Sequence, residues 1–223
     1  MNIKQKCAKA ALAYIKDETI IGLGGGSTIG YLIDYIKEQG LNVKVVTPSF
    51  QTKLLCVKQG LKVLPTYAVD EVDVAFDGCD EVDEKLNALK SGGGIHTQEK
   101  LIAQMAKEYI LLVDDSKFVS TLTYSHPVVL EILQDSLSLV LKKVEEIGEK
   151  AVIRKSSAKD GYIISDYGNF LIDVYVEPVQ DSVQLEKQLR GLPGVIDVSL
   201  FTTVVTKVLV ASGDRVDVVS KYE

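Results

Sequence analysis

The chain has 223 residues, 46% of them hydrophobic and 25% charged, which is length enough for one large domain or two modest ones and is the composition of a soluble globular protein. A formal net charge of −6 offers no basic field for gripping DNA or RNA, so nucleic acid is not expected as a partner, although a local basic pocket for one phosphate is compatible with it. The three cysteines, Cys7, Cys56 and Cys79, have no CxxC spacing, and no apolar run is long enough for a signal-peptide core or a membrane span; we expect a cytoplasmic protein without a disulfide framework, zinc site or membrane partner.

In chain order, hydrophobic periodicity predicts a helix over 3–16, a strand over 19–23, a helix over 28–39, a strand over 43–47, a helix over 50–59 and a strand over 62–64. Such repeated βα units imply a parallel sheet. The apolar runs 72–76 (VDVAF) and 109–113 (YILLV), separated by a helix near 98–107, read as its central strands. His126-Pro127 marks a break, and the pattern beyond it changes: a helix over 136–147, strands over 151–155, 162–164 and 170–176, a helix over 181–190 and a strand over 194–201. These make an α+β module, a small antiparallel sheet with helices on one face. The run 207–211 reads as a strand returning to the first sheet. The expected fold class is therefore α/β: a Rossmann-like parallel sheet domain over 1–127 plus 205–223, with a smaller α+β domain inserted over 128–204.

The segment TIIGLGGGSTIG, residues 19–30, runs a hydrophobic strand into Gly24, Gly25 and Gly26 and then into Ser27 and Thr28 at a helix start. Backbone N–H groups unshielded by side chains, together with the positive end of a helix, suit a phosphate dianion, and the two hydroxyls add donors. The alternative to phosphate binding is a tight strand-to-helix turn with Ser27 as N-cap. No G-x-G-x-x-G register fits 22–30, residues 39–69 contain no acid for a ribose hydroxyl, and no Walker lysine is present, which disfavours nicotinamide cofactors and nucleoside triphosphates.

The segment DGCDEVDEKLNALKSGGGIHTQEK, residues 77–100, is the active-site candidate. Asp77 and Asp80 fall where a strand gives way to a loop, the edge at which open α/β sheets bind ligands, and are spaced to bracket a hydroxyl-rich ligand or to hold a hard cation such as Mg²⁺. Asp83 and Glu84 read as a solvated turn. Lys90 precedes Ser91 and the flexible triplet Gly92, Gly93 and Gly94, where an ammonium can neutralise an oxyanion, and Thr97 reads as the cap of the next helix. Glu99 falls in that helix's first turn, where the dipole favours its ionised form; it serves either as general base or as a helix-stabilising charge. His96 and His126 have no placed partner and receive no catalytic role, and Cys79 reads as a small buried thiol.

These residues resemble a known family. GLGGGSTIG, DGCDEVDEKLNALKSGGG and the glutamate of TQEKLIA, together with TPSFQT at 47–52, DDSK at 114–117 and LPGVIDVSLF at 192–201, are similar in order and spacing to ribose-5-phosphate isomerase, type A, over nearly the whole chain. The resemblance implies interconversion of ribose 5-phosphate and ribulose 5-phosphate in the pentose phosphate pathway, with no metal or organic cofactor, by a homodimer or larger homo-oligomer. It implies that Glu99 is the base moving a proton between C2 and C1, and that Lys90 with the N–H groups of Gly92 and Gly93 stabilises the enediolate. Asp77 and Asp80 would contact sugar hydroxyls, with Asp77 assisting ring opening. Gly25, Gly26, Ser27 and Thr28 would line the ligand loop, Gly78, Cys79 and Ser91 would complete the substrate-binding stretches, Lys117 would add a contact, and Lys4 aligns with a lysine that approaches the phosphate. Three positions depart from the family pattern: Gly25 for threonine, Ser91 for glycine and Cys79 for alanine. The same architecture serves sugar-phosphate-sensing domains of transcription regulators and CoA transferases, so fold alone does not separate them. A regulator is expected to carry a DNA-binding module, for which the chain shows no room, and a CoA transferase a longer chain.

Overall fold

The computed structural model describes residues 1–147 and 149–221. Helix α1 (Ile3–Ala11) is opened by a capping box, Asn2 accepting from the Gln5 amide while Gln5 accepts from the Asn2 amide, and ends in a 3-10 turn (Leu12–Tyr14) short of the expected boundary. Next come β1 (Ile20–Leu23), α2 (Ser27–Glu38), β2 (Lys44–Val46), α3 (Phe50–Lys58), β3 (Lys62–Val63) and β4 (Val74–Asp77). They are followed by β5 (Glu81–Asp83), β6 (Ala88–Leu89), α4 (His96–Met105), β7 (Tyr109–Asp114), β8 (Phe118–Val119) and β9 (Val128–Ile132). The remainder is α5 (Leu137–Glu146), β10 (Lys150–Ile153), β11 (Phe170–Tyr175), α6 (Ser182–Arg190), β12 (Val195–Val198), β13 (Leu200–Phe201), β14 (Lys207–Ser212) and β15 (Arg215–Ser220). Among the described residues no helix is long and apolar enough to cross a membrane.

The main sheet has the order β15-β14-β7-β4-β1-β2-β3, parallel throughout except for the β14–β15 pair. β14 returns to this sheet as its sequence predicts. Strand order reverses between β1 and β4, so the crevice of an open α/β sheet falls at their carboxyl ends, residues 24 and 77. One apolar layer, including Ile29, Leu32, Ile33 and Ile36 of α2, packs on one face, and a second, including Ile102 and Ala103 of α4, on the other. β15, whose burial alternates weakly, had no strand signal distinct from a polar tail.

A second sheet, β10-β11-β9-β12, is antiparallel throughout. The side-chain period of two gives it distinct faces. Val128, Leu130, Ile132, Ile172, Val174 and Val198 meet α5 and α6, while Val129, Glu131, Leu171, Asp173 and Asp197 occupy the intervening positions. β9 was not anticipated because Pro127 read as a break. The expected 162–164 strand reduces to isolated bridges, Lys155 with Tyr162 and Ile164 with Phe170. The expected 194–201 strand divides at Ser199, whose N–H donates to Val129 O at 2.8 Å and whose carbonyl accepts from Lys90 N at 2.9 Å. β12 thus pairs with β9, and β13 with β6 in a small third sheet, β13-β6-β5-β8. In this third sheet Asp83 is buried and accepts from the Lys85 and Asn87 amides and the Asn87 side chain, so it is a structural turn anchor, contrary to the solvated reading; Glu84 is exposed.

Gly22 of β1 explains how closely α4 lies on the sheet: a Cβ there would stand 2.6 Å from Ala75 Cβ and 2.8 Å from Ile102 Cγ2. Gly22→Ala is expected to cost about 1–3 kcal/mol of stability through overpacking, read as a lowered urea midpoint. An unchanged midpoint would show that α4 is free to yield.

Candidate active site

Asp77 is the last residue of β4, and the loop after β1 passes directly beside it. A Cβ on Gly24 would lie 1.9 Å from Asp77 Oδ1, so only glycine lets the carboxylate occupy that space. Thr52 of α3 pins the loop by donating to Gly24 O at 2.7 Å. Gly26, at φ 92°, holds the N-cap position of α2, which corrects the Ser27 N-cap reading: Ser27 and Thr28 begin the helix, and the Ser27 hydroxyl accepts from Lys4 Nζ at 3.0 Å. A cavity of about 190 Å³ there has Lys4, Gly25, Gly26, Ser27, Thr28, Gly78, Asp114 and Lys117 among its lining residues. A helix N-terminus with two ammonium groups, against the one carboxylate of Asp114, gives this cavity the charge to receive an anion. Gly25 has open room, since a Cβ would meet Ser49 only at 3.7 Å, so a threonine there is not sterically required or forbidden.

A second cavity, about 290 Å³, shares Gly25, Gly26, Gly78 and Lys117 with the first and adds Asp77, Cys79, Asp80, Lys90, Gly92, Gly93 and Glu99. On its floor Lys90 Nζ lies 3.1 Å from Asp77 Oδ2 and 3.4 Å from Glu99 Oε2, and it donates to Gly78 O. All three charged side chains are buried. The Tyr109 hydroxyl donates to Asp77 Oδ2 at 3.1 Å and the Gly78 amide to Oδ1 at 2.8 Å, so Asp77 is fully held. Glu99 Oε2 stands within ion-pair distance of Lys90 but has no hydrogen-bond partner. Burial, reinforced by the Asp77 charge and only partly opposed by Lys90, pushes the Glu99 carboxyl up to about 8. The helix dipole expected to favour its ionised form is outweighed. Burial pulls the Lys90 ammonium down, but Asp77 and Glu99 raise it further than burial lowers it, so it stays charged. The thiol of Cys79 is pushed up to about 12 by burial and remains protonated, as its reading as a small buried thiol requires.

Asp80 lines the same cavity as Asp77. Its Oδ2 accepts from the Ser91 amide at 2.6 Å and the Gly92 amide at 3.1 Å, tying down the second glycine loop. Gly93 and Gly94 in that loop have φ of 75° and 68°, whereas Ser91 is not in the left-handed region and replaces glycine without strain. Lys117 donates to Cys79 O at 2.6 Å, fixing the floor between the two aspartates. Among the described residues no cluster of three or more His, Cys, Asp or Glu side chains is arranged to hold a metal.

His96 is fully buried away from both cavities, with Nε2 3.4 Å from Asp197 O, and burial lowers it to about 4, so it is a neutral core residue. Thr97 does not cap α4; Ile95 occupies that position, and the Thr97 hydroxyl donates to Glu131 of β9. The next turn is held by Lys100, which donates to Glu186 at 2.6 Å, Asp197 at 2.9 Å, Val198 O at 2.7 Å and Leu200 O at 2.9 Å. Phe201 lies beneath both lysines, its ring centroid 5.7 Å from Lys90 Nζ and 4.9 Å from Lys100 Nζ. Tyr109, Lys100 and Phe201 escaped sequence reasoning because a tyrosine opening an apolar strand and a lysine within a helix are ordinary there; only the packed partners distinguish them.

The burial of Glu99 carries a stability consequence. Its folded-state value of about 8 exceeds the ordinary 4.5, so between these pH values the folded chain binds more protons than the unfolded one, and stability falls as pH rises through that window. Glu99→Gln, which mimics the protonated form, should therefore melt higher than the parent at pH 8 and above, with the difference vanishing near pH 4.5. Parallel melting curves across pH would remove the desolvation argument.

A family model described as "Ribose 5-phosphate isomerase A (phosphoriboisomerase A)" matches residues 44–215. The chain is 40% identical over 216 residues to ribose-5-phosphate isomerase A of Methanococcus aeolicus, covering 95% of this chain and 92% of that protein. Among solved structures it is similar to ribose 5-phosphate isomerase A from Methanocaldococcus jannaschii, with a TM-score of 0.91, 38% identity and 98% of each chain covered. A D-ribose-5-phosphate isomerase in complex with phospho-erythronic acid superposes with a TM-score of 0.92 at 34% identity, covering 99% of this chain and 100% of that one.

Proposed function

The chain belongs to the ribose 5-phosphate isomerase A family, and on that premise we propose that it interconverts D-ribose 5-phosphate and D-ribulose 5-phosphate in the pentose phosphate pathway through an enediolate, with no metal or organic cofactor. The observation that carries this reading is the joining of two cavities, one an anion subsite at Lys4, Ser27, Thr28 and Lys117, the other holding a buried carboxylate beside a buried ammonium. A phosphorylated sugar placed with its phosphate in the first presents its carbonyl end to the second.

An α-proton beside a carbonyl is weakly acidic, and its removal needs both a base and relief of the charge that appears on oxygen. Glu99 takes the proton from C2 of the aldose, leaving the enediolate charge on O1. Lys90, with the Gly93 amide, stabilises that charge; the Gly92 amide, expected as a second donor, is already given to Asp80 Oδ2 and orders the loop instead. The proton held by Glu99 goes to C1 while the O2 proton passes to O1, which leaves the ketone at C2 and returns Glu99 to its starting state. A carboxyl raised to about 8 suits this duty, because a base works best when its affinity for protons lies near the operating pH. Asp77, held by Lys90 and Tyr109, assists opening of the furanose, and Asp80 meets the sugar hydroxyls. Gly25, Gly26, Gly78, Cys79 and Ser91 line the cleft or support it. Nothing observed favours the non-catalytic sensing reading.

The division into 1–127 plus 205–223 and 128–204, whose residues 148, 222 and 223 lie outside the described ones, is part of this proposal, with the inserted part a lid or an assembly surface. So are a homodimer or larger homo-oligomer and a cytoplasmic location, the latter supported by three unpaired cysteines.

Ribulose 5-phosphate formation by EDTA-treated protein should persist, and Glu99→Gln should reduce turnover at least about a hundredfold with substrate binding retained. Near-normal turnover in the variant would remove Glu99 as the base, and loss on chelation would restore the Mg²⁺ reading. For Lys90→Ala, the loss expected in kcat/KM corresponds to about 2.7–4 kcal/mol, the scale of a missing oxyanion donor; unchanged kinetics would take Lys90 out of the mechanism.

A further inference from the structure

The loop that carries the Gly93 oxyanion donor is made of the residues least able to hold a shape. Gly92, Gly93 and Gly94 have no Cβ, two of them sit at positive φ, and such a segment samples many conformations unless something outside it restricts them. Stabilising a transient charge requires donors already in place. Asp80 supplies part of the restraint through the Ser91 and Gly92 amides, and the second sheet supplies the rest. Arg154, directly after β10, is fixed at its backbone by Arg154 N donating to Leu171 O at 2.8 Å and by Ile163 N donating to its carbonyl at 2.9 Å. Its Nε and Nη2 donate to Asp173 Oδ1 of β11 at 2.8 and 2.5 Å, and the same Nη2 reaches Ser91 O at 3.0 Å. Both side chains are largely buried, with 16% and 14% of their surface exposed. Leu171, on the same sheet face, presses on the other end of the loop, since a Cβ on Gly94 would lie 2.5 Å from Leu171 Cδ1.

We propose that Arg154, oriented by Asp173, is a positioning residue for the reaction: its hydrogen bond to the Ser91 carbonyl fixes the Ser91–Gly92 peptide plane and so presets the glycine loop against Asp80 and Lys90. The inference rests on the isomerase reading above. A peptide unit is planar, so holding the carbonyl of Ser91 sets the direction of the Gly92 N–H on the opposite edge, which points at Asp80. Ser91 is restrained at its other groups as well, its amide by Asp80 and its hydroxyl by donation to Pro127 O, just before β9. The planar guanidinium pairs with a carboxylate and a carbonyl at once; a lysine, with a point charge on a flexible stem, does not reproduce that fork. The second sheet thereby enters the chemistry without touching substrate.

The test compares the parent with Arg154→Ala and Arg154→Lys. In Arg154→Ala, kcat should fall roughly tenfold or more while KM for ribose 5-phosphate stays within about twofold, the pattern of an interaction that matters only when charge develops. Inhibition by phospho-erythronic acid, which carries a carboxylate at the end remote from its phosphate, should weaken by a similar factor, whereas inhibition by inorganic phosphate, read at the Lys4 and Ser27 end, should not change. Added guanidinium ion should restore part of the lost turnover in Arg154→Ala and none in the parent. Parent-like kcat and phospho-erythronic acid inhibition in Arg154→Ala would overturn the inference, as would equal weakening of both inhibitors with a lowered melting temperature, the mark of a purely structural residue. Should Arg154→Ala fail to fold, Arg154→Lys decides: reduced kcat with phosphate inhibition intact upholds the fork, and parent-like kcat overturns it. A parent without turnover would overturn the isomerase reading itself, whereas an active parent with indifferent variants removes only Arg154.

Discussion

Lys90, Asp77 and Glu99 are withdrawn from water together, one positive charge at 3.1 and 3.4 Å from two negative ones. Removing ions from water is costly, and the mutual attraction of a single ammonium cannot fully satisfy two carboxylates. The imbalance is resolved unequally. Asp77 takes the lysine, the Tyr109 hydroxyl and the Gly78 amide, while Glu99 keeps an oxygen without a hydrogen bond. In the proposed mechanism the group left short is the one that accepts a proton, so the destabilising arrangement and the useful one are the same. The surrounding fold serves to impose it.

Imposing it depends on close approach. Gly24 leaves room for the Asp77 carboxylate, and Gly22 lets α4 settle against β1 with Ile102 in contact, which brings Glu99 down to the level of Lys90. α4 is then held on both sides of Glu99, by Thr97 to Glu131 before it and by Lys100 to Glu186 and Asp197 after it. A buried lysine with four oxygen partners over an aromatic ring is a satisfied charge, unlike its neighbour one residue earlier. Adjacent positions on one helix thus have opposite electrostatic fates because they face different surroundings.

The second sheet divides its labour by face. Its apolar face closes a core with α5 and α6, and its other face supplies Glu131, Leu171, Asp173 and Asp197 to the helix and loop of the cleft. Ser199 joins the sheets through its own peptide groups, pairing with Val129 on one side and Lys90 on the other. Parallel strands position the start of α2 and Asp77, and antiparallel strands hold α4, which carries Glu99, and the glycine loop.

Much of this was legible in the chain itself. Hydrophobic periodicity marked the βα units and the return of residues 207–211 to the main sheet, because these are local patterns of period 3.6 or 2. The strand, glycine and helix sequence at 20–28 and the crowding of Asp77, Asp80, Lys90 and Glu99 pointed to an anion site beside acid–base groups, and the structure places both segments on adjoining cavities. The split at Ser199, the burial of Asp83, the neutral His96 and the capping of α4 by Ile95 were not legible, since each follows from a partner distant in sequence. The sequence by itself determined which chemical groups are present and which short segments carry them. Only the tertiary structure decided the charge each group bears and what holds it in place, because desolvation and hydrogen-bond supply belong to the surroundings of a residue rather than to the residue.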